Sequence, residues 1–270
     1  MKSVYSILFI LLLFMAGCEG NKQSADDFIT VDVTAKYPEK ELVLQDFMDV
    51  EYIPLETNDE FICQGLVMAI GKDIILARNY INDGVLFVFD RKTGKGIKKI
   101  NRKGQGGEEY TSCRSVTLDE ENNEMFINDF WTRKIKVYDL EGNFKRSIKQ
   151  KQEGNTQFYW DIFNYDKENL ICYDEINAEI PFLLVSKQDG SITKEIRPSF
   201  KEKKYVFQVL RMENSTRAAG PGSYSRITPF NGNWILLEPS SDTIYTLMPD
   251  CSLRPFIART PPIHTMDPEV

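Results

Sequence analysis

Guanidinium groups and aromatic rings recur side by side along this sequence, in Arg78-Asn79-Tyr80, Arg102-Lys103 with Tyr110, and Trp131 with Arg133, and a pair of rings follows at Tyr159-Trp160. Such pairs suit planar or sugar-like ligands, which stack on the ring face and accept paired hydrogen bonds from the guanidinium fork. Each group borders a short apolar run, so each is expected at the end of a strand. The competing expectation for Tyr110, Trp131 and Trp160 is packing between sheets, where large aromatic side chains fill space.

Other chemistries are removed by count and spacing. The one histidine, His264, lies six residues from the end, which excludes His-rich metal sites and leaves little for a Ser/His/Asp triad. Gly104-Gln105-Gly106-Gly107 precedes a strand, whereas a phosphate cradle opens a helix with aligned N–H groups, so the loop reads as a turn. Asp119, Asp129, Asp139, Asp166 and Asp174 close strands or turns, where aspartate bonds its neighbouring backbone. No ordered Asp-x-Asp-x-Asp-Gly run suggests calcium, and no cofactor motif occurs, so neither metal nor cofactor is expected. With 33 Lys+Arg against 40 Asp+Glu the net charge is −7, which argues against nucleic acid as a partner.

The N-terminus carries an address. An apolar run from Val4 to Ala16 follows Lys2 and is shorter than the roughly 20 residues that span a bilayer. A positive charge, a short apolar run and then small residues make a secretory signal. The run ends in Met15-Ala16-Gly17-Cys18, which resembles the bacterial lipobox and implies that Cys18 is lipidated and becomes the new N-terminus. Residues 1–17 are therefore expected to be a lipoprotein signal peptide, and 18–40 a flexible polar tether; Asp26-Asp27 weakly resembles a surface-export signal. The membrane is thus an expected partner, reached through Cys18 in the cell envelope, on an outer-membrane lipoprotein facing the periplasm or the cell surface. Cys63, Cys113, Cys172 and Cys251 are widely spaced, allow three pairings, form no Cys-x-x-Cys pair, and read mostly as buried small hydrophobes.

From residue 41 onward the chain repeats. Val85–Gly94, Ile135–Gly142 and Phe182–Gly190 are hairpin halves whose turn glycines fall at 94, 142 and 190, two intervals of 48 residues. A fourth copy, Thr243–Cys251, has Cys where the glycine would stand. Matching strands lie upstream and downstream of each, giving four antiparallel strands per unit, near 62–101, 112–149, 157–197 and 222–258. Units of that length are the signature of a β-propeller blade. One four-stranded sheet cannot cover both its faces, but radial stacking does. The fold class is accordingly all-β, a β-propeller over 41–270. A β-sandwich offers no reason for a constant interval. The charged stretch Glu195–Lys204 interrupts the period and reads as an extended loop between blades three and four.

Blade two reads Gly104–Tyr110, Val116–Asp119, Glu124–Asp129, Arg133–Asp139 and Gly142-Asn143-Phe144, which resembles the NHL repeat. More broadly, residues 40–260 resemble the six-bladed β-propeller lipoproteins of gut Bacteroidetes. The shared features are the lipobox, the segment Tyr52–Thr57 and Gly-x-Gly-Pro-Gly-Glu-Tyr loops, present here as Gly104–Tyr110 without the proline and as Gly220–Tyr224 with Ser for Glu. The resemblance implies six blades, yet only four fit before Val270, so the chain reads either as a closed four-blade ring or, as a tail without a closing strand favours, as truncated. Glu41–Glu56 would then be a strand awaiting an absent blade, and the chain alone is expected to aggregate or melt without cooperativity through its open edge.

In a propeller the loops between blades and those joining second to third strands share one face, where ligands sit near the axis. The candidate ligand-binding residues are Arg78, Tyr80, Arg102, Tyr110, Trp131, Arg133, Tyr159 and Trp160, with Asn79 and Lys103 beside them. The missing catalytic constellation favours a non-catalytic, lipid-anchored module binding a glycan, peptide or protein. The alternative is a hydrolase or lyase with its active site on the axis.

Overall fold

Left-handed turn residues set where the strands end. In the computed structural model Gly94, Gly142 and Gly190 have φ of 69°, 87° and 75°, and each turns the chain between the third and fourth strands of a sheet. Glycine reaches this region without steric cost. In the fourth copy Cys251 takes the same place with φ 63°, a conformation that costs an L-residue roughly 1–2 kcal/mol. The structure describes residues 28–81, 83–150, 159–203, 208–212, 215–219 and 225–265; the signal peptide, Cys18, Asp26-Asp27 and the Gly220–Tyr224 loop fall outside them.

After β1 (Ile29–Asp32), the strands β2 (Leu66–Ile70), β3 (Ile74–Arg78), β4 (Val85–Asp90) and β5 (Gly96–Asn101) form blade one in that spatial order. Blade two is β6 (Ser115–Asp119), β7 (Glu124–Asp129), β8 (Lys134–Tyr138) and β9 (Phe144–Lys149). Blade three is β10 (Tyr159–Asn164), β11 (Asn169–Asp174), β12 (Phe182–Ser186) and β13 (Ile192–Ile196). A separate hairpin, β14 (Gln208–Met212) and β15 (Ser215–Ala219), lies in the chain between blades three and four, after the charged stretch Glu195–Lys204, and was not foreseen from sequence. Blade four is β16 (Ile227–Phe230), β17 (Asn233–Leu236), β18 (Thr243–Leu247) and β19 (Leu253–Thr260). All pairings within blades are antiparallel, and every third-to-fourth pairing carries a register shift, at Val88/Phe89, Val137/Tyr138, Leu184/Val185 and Ile244/Tyr245. A bulge there increases the local twist of the outer strand. The chain is a β-propeller of four-stranded blades.

Each blade packs its trailing face on the leading face of the next. Leu76, Leu86, Val88 and Ile100 of blade one meet Val116, Met125, Ile127 and Tyr138 of blade two. Phe126, Ile135, Val137 and Ile148 then meet Ile162, Leu170, Cys172, Leu183 and Val185. Ile171, Phe182, Leu184 and Ile196 meet Ile227, Leu236 and Leu247 of blade four. The cross-strand pairs Leu76–Val88, Phe126–Val137, Ile171–Leu184 and Ile235–Thr246 show that one position recurs in all four blades. In the first three blades these residues are buried; in blade four Ile235, Ile244, Thr246 and Ile257 are half-exposed.

Two expectations for the N-terminal region need correcting. The stretch 18–40 was expected to be a tether, but β1 lies within it and pairs in parallel with β19, Ile29 opposite Ile257 and Asp32 opposite Thr260. β1 therefore adds a fifth strand to the outer edge of blade four. Glu41–Glu56 is not a strand; it holds a 3₁₀ turn at Leu44–Asp46 and then extended chain. That chain docks on blade one. Glu56 N–H donates to the Gly94 carbonyl at 2.8 Å, and Gly96 N–H donates to the Glu56 carboxylate at 2.8 Å. Phe61, Ile53, Leu55 and Cys63 cover Ile75, Ala77, Phe87 and Phe89, so the leading face of blade one is closed without a preceding sheet.

Candidate functional site

The first strands of the blades begin, and their second strands end, at one end of the propeller. Leu66 pairs with Arg78, Ser115 with Asn128, Tyr159 with Asp174 and Ile227 with Leu236. Residues just before each first strand or just after each second strand therefore converge around the axis.

Blade two supplies the centre of this end. The Asp129 carboxylate, fully buried, accepts from Thr111 N–H (3.2 Å), Thr111 Oγ1 (2.6 Å), Ser112 N–H (3.3 Å) and Thr132 Oγ1 (2.8 Å). It thereby fixes the incoming interblade chain to the 3₁₀ turn Phe130–Thr132. On that turn Phe130 stacks edge-on against Trp131 (centroids 5.2 Å) and against Trp160 of blade three (5.6 Å). Arg114, the residue before β6, lays its guanidinium over Trp160 at 3.9 Å and over Phe130 at 4.8 Å. Replacing Asp129 with alanine is expected to cost about 3 kcal/mol, because four donors, one buried and three part-buried, lose their acceptor at once. The urea midpoint should fall, and near-ultraviolet dichroism should show the aromatic row loosened in the remaining folded fraction; an unchanged spectrum and midpoint would contradict this role.

Blades three and four supply the charge opposite. Burial pushes the Asp161 carboxyl above its ordinary range, against the pull of the Arg226 backbone N–H (3.2 Å) and of the Arg226 and Arg114 guanidinium groups. Arg226, buried, reaches Glu175 at 3.5 Å and lies 5.5 Å from the Tyr173 ring. Behind Tyr173, whose phenol burial drives far up, Lys203 and Glu238 form a buried ion pair at 2.7 Å.

The residues singled out from sequence divide. Arg78 ends β3 and donates to the Asn79 carbonyl at 2.8 Å. Tyr80 and Trp131 are exposed, at 68% and 76%, and Trp160 is half-buried in the aromatic row. Arg133 is exposed in a left-handed conformation directly after the 3₁₀ turn. Tyr110 and Tyr159 are corrections: both are fully buried between blades and present no surface to a ligand. The Tyr110 hydroxyl donates to the Gly84 carbonyl at 2.6 Å, and its ring meets Tyr138 edge-on. Arg102 is elsewhere, bonding the Gly142 carbonyl at 2.9 Å and lining a cleft of about 480 Å³ with Gly106, Gly107, Glu108, Glu109, Asn143 and Phe144. The glycine loop there is a turn filled by its own Glu109 carboxylate, which accepts from Gly106 N–H at 2.8 Å. Sequence reasoning missed Arg114, Phe130, Asp161, Glu175 and Arg226. The available signal was position: Arg114 and Arg226 each stand immediately before the first strand of a blade.

The four described cysteines are free thiols; Cys113 and Cys172 are buried, and burial pushes the Cys113 thiol up to about 12. Among the described residues no cluster of three or more His, Cys, Asp and Glu groups could hold a metal ion, and no helix is long and apolar enough to cross a membrane.

Comparison with known families places this architecture. Residues 28–258 match the family described as a domain of unknown function, DUF4934. The chain belongs to that family. DUF4934 here shares its fold with a solved protein of Bacteroides fragilis described as exported, at a TM-score of 0.59 and 16% identity over 87% of this chain and 60% of that one. A member of the DUF4221 family from Bacteroides vulgatus overlays with a TM-score of 0.52 and 12% identity, over 77% of this chain and 61% of that one. The DUF4934 chain thus spans about three-fifths of the length of these propellers. No curated protein matches it.

Proposed function

We propose that this chain is an exported, lipid-anchored binding module that holds its ligand at the axial end of the propeller without transforming it. The observation that carries the reading is the row Trp131–Phe130–Trp160, flanked by charged groups from all four blades and fixed from beneath by buried Asp129. Rigid aromatic faces beside preset polar groups are what ligand recognition uses. Titration of the purified protein, followed by tryptophan fluorescence, should show saturable binding to a glycan or peptide that Trp131→Ala abolishes, with the ligand recovered unchanged. Turnover of the bound compound would replace this reading with that of a hydrolase or lyase.

Anchorage follows from Cys18. In the native host, the protein should incorporate labelled fatty acid and sediment with outer membranes, and Cys18→Ser should release it to the soluble fraction. A Cys18→Ser protein that stays labelled and membrane-bound would refute lipidation at that residue. The reading also sets the four blades within a six-bladed ring. It is supported by Ile235, Ile244, Thr246 and Ile257, half-exposed at the positions that the next blade covers elsewhere.

A further inference from the structure

Arg114 is held in an unusual way. Its guanidinium carbon lies over Trp160 at 3.9 Å from the ring centroid and over Phe130 at 4.8 Å, and among the described residues it donates no hydrogen bond. By contrast, Arg146 is committed to both carboxylate oxygens of Glu124 and to the Lys187 carbonyl, and Arg226 bonds Glu175. Contact with ring faces holds a guanidinium in place without occupying its N–H donors, and those donors match a planar oxyanion bidentately. The neighbours define the rest of the ligand. Asp161 and Glu175 lie close enough to Arg114 to act on its charge, as does Arg78. Two carboxylates repel a dianion or a polyanion but accept hydrogen bonds from hydroxyl groups. Trp131, within 5.2 Å of the same Phe130 ring and 76% exposed, offers a flat apolar face for a ring to lie on. A single negative oxyanion, several hydroxyls and a ring with an apolar face describe an acidic sugar.

Resting on the binding-module reading above, we propose that the axial end recognises an acidic saccharide, with Arg114 gripping its carboxylate or sulfate group and Trp131 stacking on its ring. The test is calorimetric titration of the mature full-length chain with three probes: galacturonate, its methyl ester, and the carboxylate-free κ-neocarrabiose 4-sulfate, each charged probe carrying one negative charge. At least one charged probe should bind, and whichever does identifies the oxyanion. The methyl ester should bind at least about tenfold more weakly than the free acid if the carboxylate is read. Arg114→Ala should weaken the charged probe by about tenfold to a hundredfold, the range of a charge-assisted hydrogen bond, and Arg114→Lys should recover only part of it. Arg114→Gln serves as a second variant should alanine disturb folding, judged by dichroism. Failure of all three probes to bind, or equal binding by acid and ester with no sulfate preference, overturns the proposal. So does an Arg114→Gln protein of wild-type affinity. A neutral glycan or peptide that binds and depends on Trp131 but not on Arg114 would overturn the acidic-sugar inference while leaving the binding module intact.

Discussion

Replacing Lys187 with alanine is expected to destabilise the protein by about 3–5 kcal/mol, the cost of stranding one partner of a buried ion pair. Lys187 follows the third strand of blade three, and its ammonium, with only 2% of the side chain exposed, reaches Asp119 of blade two at 2.6 Å. It also donates to the Asp166 carbonyl at 2.5 Å. The Lys187 carbonyl in turn accepts from Arg146, which grips Glu124 through both oxygens. One lysine therefore ties blade two to blade three at both ends of its residue. Removing it leaves the Asp119 charge buried with only Asn122 beside it. The double variant Asp119→Asn/Lys187→Met should recover most of the loss, since neither charge is then left alone. Urea midpoints of wild type, single and double variants measure this, and a single variant as stable as wild type would refute it. The same network predicts an acid response. Burial alone would raise the Asp119 and Glu124 carboxyls, but bonding to Lys187 and Asn122, and to Arg146 and Lys145, outweighs it and holds both below their usual values. A carboxyl depressed on folding stabilises fully above its unfolded value, near pH 4, and that stability is lost as pH falls through the lower folded value. The wild-type midpoint should therefore fall steeply below about pH 4, and the double variant should fall less.

Phe182→Ala and Ile244→Ala occupy the same position in consecutive blades and should differ sharply. Phe182 pairs with Ile196 and is fully buried beneath blade four, so its truncation opens a cavity costing about 3–5 kcal/mol. Ile244 pairs with Ile257 in the same register but is half-exposed, so its truncation in the 270-residue chain should cost about 1 kcal/mol or less. Paired urea melts decide the matter. A cost at Ile244 equal to that at Phe182 would show that something covers the trailing face of blade four in solution.

The repeat was legible because its determinants are local. Glycines at 94, 142 and 190 permit left-handed turns, and alternation on either side of them assigns the strand faces. The docking of Ile53 to Phe61, the pairing of β1 with β19 and the hairpin β14–β15 were not legible. The first two join parts of the chain that carry no mutual sequence signal, and the hairpin follows the charged stretch Glu195–Lys204 that breaks the period.

What the sequence determined by itself was the blade, since a tight turn and period-two alternation are properties of adjacent residues. What only the tertiary structure decided was which ring meets a ligand and which fills a gap. Tyr110 and Trp131 belong to the same set of ring-and-guanidinium pairs, yet one is sealed against Tyr138 and the other stands in solvent. Arg114 carries no sequence mark beyond its place before a first strand, because its significance lies in Trp160, a residue of the next blade. Neighbours across a blade boundary are set by radial stacking, and the burial of a side chain depends on the sheet laid over it.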